Sequence, residues 1–356
     1  MRRLATIREV RIIATLASAL FIASLSPGIT QQGDALTDLY SKGVALYNAG
    51  RYSEAALIAQ RYLEIVESCL GPNHPDFAKA VYYLGLVYHA QGRYADAERL
   101  YKRSLAIREK ALGPDHPDVA ASMNNLAELY HAQGRHVDAE PLYKRSLAIR
   151  EKALGPDHPD LAESLNNLAE LYRAQGRYAD AEPLYKRSLG IVERAEHPAV
   201  AVLQNNLAIL YKAQGRYADA EPLYKRSLAK REKALGPDHP DVAASMNNLA
   251  ELYRAQGHYA DAEPFYKRSL AIWEKVLGLD HPSLGASLNN LAEQYRAQGR
   301  YVDAARAAAG PDAAGRRAHG ARRERFEAKA FLSAFTKGLA DLGWIDGRTV
   351  RIDVST

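Results

Sequence analysis

The sequence predicts an all-α fold: a right-handed α-solenoid of stacked antiparallel helix pairs, with a small non-repeat tail of one helix and one strand. Three observations carry this. The nineteen residues from Leu100 to Asp118 return letter for letter from Leu142 to Asp160. The motif NNLA makes Leu126, Leu168, Leu207, Leu249 and Leu291 equivalent, with Leu84 ahead of them, at steps of 42, 42, 39, 42 and 42. Within each unit two apolar stripes of helical spacing flank a glycine turn, and a period of this length marks a helical solenoid.

Along the chain, MRRLATIREVR is a short basic region and Ile12–Leu25 a fourteen-residue apolar run, too short for a comfortable membrane span. Ser26 and Gly28 are small and two apart, which suits cleavage before Ile29. Residues 1–28 are therefore expected to be a signal peptide, and the mature chain to be exported, periplasmic or extracellular. An uncleaved membrane anchor and a cytoplasmic chain are the alternatives. Cysteine is absent near the cleavage point, which argues against a lipid anchor, and no stable membrane span is expected after signal removal.

Residues 35–302 hold six full repeats and a truncated seventh, the weakest copy lying upstream, where AGRYSEA from Ala49 matches QGRYADA from Gln91. In the first helix of a unit, Met123, Leu126, Ala127 and Tyr130 fall at i, i+3, i+4 and i+7, one apolar stripe. Gly134 closes it with a left-handed turn. The second helix carries Ala139, Leu142, Tyr143 and Ser146 on its buried side, leaving Lys144, Arg145, Arg150 and Lys152 for solvent. Pro141 lies near its start, where a missing N–H costs little. Gly155 stops it, and Asp160 with Glu163 reads as the N-cap and capping-box pair of the next helix.

The fourth unit departs, with IVERAEHPA where others have REKALGPDHPD, and Lys230 stands where an Ile recurs elsewhere. A connection shortened by three residues should alter the local superhelical angle.

The run Leu126, Ala127, Tyr130, Gly134, Ala139 and Tyr143 resembles the tetratricopeptide pattern. The 42-residue spacing, with AEPLYKRSLAIREKALGPDHPD, is similar to the longer repeat of kinesin light chains and of many bacterial proteins. The resemblance implies a concave groove lined by the first helices and a protein or extended peptide ligand. It departs from the 34-residue family form by eight residues, assigned to a longer second helix and its turn.

Charge narrows the functional classes. The formal net charge is +5, but residues 1–33 and 303–356 contribute +3 each, and the 33 basic and 34 acidic side chains between them leave −1. A repeat array without a basic field is not expected to bind nucleic acid. Cys69 is the only cysteine, so neither an internal disulfide nor a cysteine metal cage can form. His74, His116, His158, His197, His239 and His281 recur one per repeat, too far apart to share a metal, and read as helix-start residues. No cofactor, no metal and no catalytic constellation is expected, and the chain is expected to be a monomer.

The candidate groove residues come from the first helices. Asn124 and Asn125, Asn166 and Asn167, Asn205 and Asn206, Asn247 and Asn248, and Asn289 and Asn290 precede the buried Leu. A carboxamide offers donor and acceptor to a peptide backbone; equally, the row could tie helix to helix. Glu128, Glu170, Glu251 and Glu293 stand beside them, with His131, Arg173, Lys212, Arg254 and Arg296 a turn further on. These are i, i+3 ion pairs or a groove of alternating sign. Tyr82 and Tyr83 replace the asparagines in the second repeat, and Ile209 replaces the Glu in the fifth.

Residues 303–325 turn abruptly to Ala, Gly and Arg and are expected to be a linker. In 326–356, Phe331, Phe335 and Leu339 mark a helix, GWIDG a turn and TVRIDV a strand. That stretch resembles a fragment of an ABC transporter substrate-binding protein. The rest of such a domain is missing from the sequence, so no ligand-binding function is carried over. The expected function is a non-enzymatic interaction scaffold; the alternatives are a regulatory or sensor subunit without its effector domain, and a fused or frameshifted remnant.

Overall fold

The computed structural model describes residues 27–277 and 282–309. Most of the expected signal peptide, the linker beyond residue 309 and the expected substrate-binding-protein fragment lie outside them. The described residues form helices without a strand: α1 (Pro27–Asn48), α2 (Tyr52–Leu70), α3 (Pro75–Ala90), α4 (Tyr94–Leu112), α5 (Pro117–Ala132), α6 (His136–Leu154), α7 (Leu161–Ala174), α8 (Tyr178–Arg194), α9 (Val200–Ala213), α10 (Tyr217–Leu235), α11 (Pro240–Ala255), α12 (Tyr259–Leu277), α13 (Pro282–Ala297) and α14 (Tyr301–Ala309). None is long and apolar enough to cross a membrane. Two compact units divide the chain, Met1–Leu223 and Tyr224–Thr356.

In the first unit, α1 pairs with α2, α3 with α4, α5 with α6 and α7 with α8, and each second helix packs on the next first helix up to α9. In the second unit, α11 pairs with α12, α12 packs on α13, and α13 pairs with α14. The same residues build each hairpin. Gly134 takes φ +73°, which an L side chain resists, and the N–H of Arg135 returns to the carbonyl of Tyr130 at 2.8 Å. Ala139 and Ala181 are fully buried, letting the second helix approach the first closely, and Tyr143 and Tyr185 fill the space beyond. A buried serine then fastens each pair: Ser104 Oγ donates to the carbonyl of Ala78 at 2.7 Å, Ser146 to Ala120 at 2.7 Å, Ser188 to Ala162 at 2.6 Å and Ser269 to Ala243 at 2.9 Å. In the second repeat Gly85 stands where the later repeats have Ala; a Cβ there would meet the ring of Tyr101, which stacks on Tyr82, at 2.8 Å.

Neighbouring repeats are joined by a recurring clamp. Glu98 of α4 accepts from Tyr130 Oη at 3.0 Å and from Arg135 at 2.7 Å, while that guanidinium lies 4.0 Å over the Tyr130 ring and bonds Asp138 at 2.8 Å. Glu140 holds Tyr172 and Arg177 in the same way, and Glu182 holds Tyr211 and Arg216. Lys144, followed by Tyr172 and Arg177, outweighs burial and holds the Glu140 carboxyl below the usual carboxylate range.

The structure corrects three expectations. Arg150 is buried, not solvated: its guanidinium donates to Ser164 Oγ of the next repeat at 2.8 Å, as Arg108 does to Ser122 at 2.7 Å. Asp160 makes no side-chain cap; the imidazole does that work, Nδ1 of His158 accepting from the N–H of Asp160 at 3.2 Å. His74, His116 and His239 accept in the same way from Asp76, Asp118 and Asp241 at 3.1 Å, which is the helix-start role. Finally α14 runs seven residues into the expected linker, since its alanines sustain a helix without the apolar periodicity of a full repeat. The shortened fourth unit is accommodated by a 17-residue α8, against 19 in α6, and by Glu196 at φ +48°.

Candidate groove of the first helices

The first helices bring most of the candidate residues into one row, but with unequal exposure. In the first unit Asn124 and Asn166 are buried, at 0% and 1%, and Asn167 and Asn206 are half-buried. Their carboxamides form a ladder between repeats. Asn167 Nδ2 donates to Asn124 Oδ1 at 3.3 Å and to Glu128 Oε1 at 2.8 Å, and Asn124 Nδ2 donates to the same Glu128 oxygen at 3.0 Å. Asn206 Nδ2 donates to Asn166 Oδ1 at 2.9 Å. The second unit repeats the arrangement, Asn290 donating to Asn247 Oδ1 at 3.3 Å and to Glu251 at 3.1 Å, with Asn247 donating to Glu251 at 2.9 Å. Asn248 is half-buried beside this rung and Asn289 exposed. The row does tie helix to helix.

The acidic positions behave in two ways. Glu128 and Glu251 turn toward the asparagines, whereas Glu170 turns toward Arg173 at 2.7 Å and accepts from the hydroxyl of Tyr185. Burial opposes the charge of Arg173, yet Glu170 outweighs it and raises the guanidinium further, while burial followed by Glu170 raises the Tyr185 hydroxyl. Arg254 reaches instead to Glu293 of the next repeat, at 3.4 Å. Because Glu170 is engaged elsewhere, Asn206 keeps one N–H that Asn167 spends on Glu128.

Two candidates sit apart from this row's surface. Tyr83 is 3% exposed and packs edge-on against Tyr40 at 5.2 Å, so it belongs to the core. Asn125 is also buried, at 6%, with Tyr82 where its neighbour's ladder asparagine would be. One pair that sequence reasoning did not bring together is His131 with His136, whose Nδ1 atoms lie 3.3 Å apart. The substitution of His136 for a tyrosine that recurs at that place was the available sign. Among the described residues no group of three or more His, Cys, Asp or Glu is placed to hold a metal ion.

The tetratricopeptide repeat profile matches residues 76–152, 123–194, 199–275 and 259–309, and a second tetratricopeptide profile matches 39–76. Among solved structures, a putative kinesin light chain of Podosopora anserina with nearly identical TPR-like repeats is 31% identical, with a TM-score of 0.51, over 57% of this chain and 98% of that one. BtubC (BKLC) from P. vanneervenii is 26% identical, with a TM-score of 0.53, over 65% and 91%. A STAND ATPase with a tetratricopeptide repeat sensor from Pyrococcus horikoshii is 16% identical, with a TM-score of 0.60 over 77% and 41%, a likeness of fold alone. No curated protein matches the chain.

Proposed function

The chain belongs to the tetratricopeptide repeat family, a family of interaction scaffolds that are generally non-enzymatic, and on that footing we propose that the first-helix row of the first unit binds an extended peptide. The observation that carries this is Asn206. It is half-buried, donates one N–H to Asn166 and accepts weakly from Asn205 at 3.5 Å, so one N–H and one oxygen lone pair remain at the surface. That pair suits a peptide unit in any sequence. The Arg173–Glu170 pair nearby, with side chains 24% and 19% exposed, supplies neighbours of both signs. The bound peptide is expected to carry mixed charge.

A displayed library of random peptides, selected on the full chain, tests this. Enriched peptides should bind Asn206→Ala about tenfold or more weakly, with the variant still folded at the binding temperature, although its melting temperature falls because the buried Asn166 Oδ1 loses its donor. Failure to enrich any sequence, or equal binding to Asn206→Ala, would remove the row as the binding site. We also propose export of the mature chain; amino-terminal sequencing of protein from the native host should begin near Ile29, and an intact Met1 in cytosolic protein would refute it.

A further inference from the structure

Two positions that flank one turn carry, in the third repeat, a combination found in no other. Position 131 is the last-turn residue of α5 and position 136 the first residue of α6. The equivalent pairs are Tyr47 and Tyr52, His89 and Tyr94, Arg173 and Tyr178, Lys212 and Tyr217, Arg254 and Tyr259, and Arg296 and Tyr301. The third repeat has an imidazole at both places.

The two rings sit with centroids 5.2 Å apart, tilted by 45°, and with Nδ1 facing Nδ1 at 3.3 Å. Two imidazole nitrogens bound to tetrahedral zinc at ~2.0–2.1 Å stand about 3.3 Å apart, so the separation matches the bite of that ion. The backbone beneath is pinned on both sides of Gly134. The N–H of Gly134 bonds the carbonyl of His131 at 3.0 Å, that of Arg135 the carbonyl of Tyr130 at 2.8 Å, and that of Ala139 the carbonyl of Arg135 at 3.2 Å. Neither ligand therefore needs a backbone change to bind. Both rings are half-buried.

We propose that His131 and His136 form a two-imidazole site for a divalent transition cation, zinc foremost. The proton between the two Nδ1 atoms moves to Nε2 of the ring that carries it when the ion binds, so both rings stay neutral and both Nδ1 lone pairs face the metal. The nearest charged groups on the neighbouring helix are Glu170 and Arg173, and these are engaged with each other, so the protein supplies two nitrogens and leaves the remaining positions to water or to a group on a bound partner. The N-cap histidines are different in kind. Nδ1 of His74, His116, His158, His197 and His239 each accepts a backbone N–H. The site is independent of the peptide-binding proposal.

The test is titration of zinc chloride by calorimetry, and of cobalt chloride by visible absorbance, into the full chain without an affinity tag. The expected result is one saturable zinc site per chain and the visible absorption of tetrahedral cobalt. His131→Arg and His136→Tyr install residues that other repeats carry at these places, so they should fold. Each should weaken zinc binding about tenfold or more, with thermal melting in chelator unchanged. The proposal is overturned by an isotherm that survives in the double variant, which would assign binding to the cap histidines, or by the lack of saturable binding up to about 1 mM zinc.

Discussion

The junction between the third and fourth repeats and the junction between the fourth and fifth perform the same stacking with opposite chemistry. At the first, Arg150 is 8% exposed and donates to Ser164 Oγ at 2.8 Å. At the second, the equivalent positions are Val192 and Leu203, 1% and 3% exposed. The three missing residues of the fourth unit accompany that exchange, with Glu196 at φ +48° where Gly155 ends α6 at φ +85°. The comparison teaches that the stack tolerates a buried cation with its hydrogen bonds satisfied or an apolar pair, and that between these two junctions both members change together. A buried charged group is costly unless paired, whereas a well-packed apolar replacement of the whole set is often neutral or better.

Breaking this correspondence should have the largest effect. Val192→Arg sets a guanidinium where Leu203 has replaced the serine acceptor and should destabilise the full chain by about 3–5 kcal/mol, read from urea unfolding. Adding Leu203→Ser should recover at least ~1 kcal/mol beyond additivity; strict additivity would mean that the two positions do not cooperate. Asn167→Ala should cost about 1–3 kcal/mol, since Asn124 Oδ1 and Glu128 both lose a donor. In the opposite transplant, Arg150→Val with Ser164→Leu should unfold within ~1 kcal/mol of the parent, with each single change worse. The smallest effect sharpens the turn: Glu196→Gly should gain about 0.5–1 kcal/mol by relieving a left-handed backbone, and a loss in thermal melting would show that the glutamate side chain contributes more than its strain.

Much of this was legible in the sequence. The 42-residue period and the stripe of Met123, Leu126, Ala127 and Tyr130 place the helices and their buried faces, because a period of 3.6 can be read from identity alone. Arg150 was misread because its charge outweighed its spacing: it follows Tyr143 by seven residues and Ser146 by four, on the buried stripe. Asp160 was preferred as cap because aspartate is a usual capping residue, whereas an imidazole nitrogen two residues earlier is not. The asparagines could not be resolved because a first-helix row faces both its neighbour and the surface. Only coordinates show that Asn124 is spent on the ladder and that Asn206 keeps part of its capacity.

The apolar junction also bears on how such a chain avoids folding wrongly. The second-helix sequences Leu100–Leu112 and Leu142–Leu154 are identical, so a growing stack could skip a repeat and still satisfy most contacts, a known hazard of repeat proteins. A skip over the fourth unit would dock α6 on α9 and bury Arg150 against Leu203, which has no hydroxyl to accept from it. That error costs several kcal/mol at the moment of docking, so the irregular unit makes the correct order of repeats distinguishable from slippage while the chain assembles.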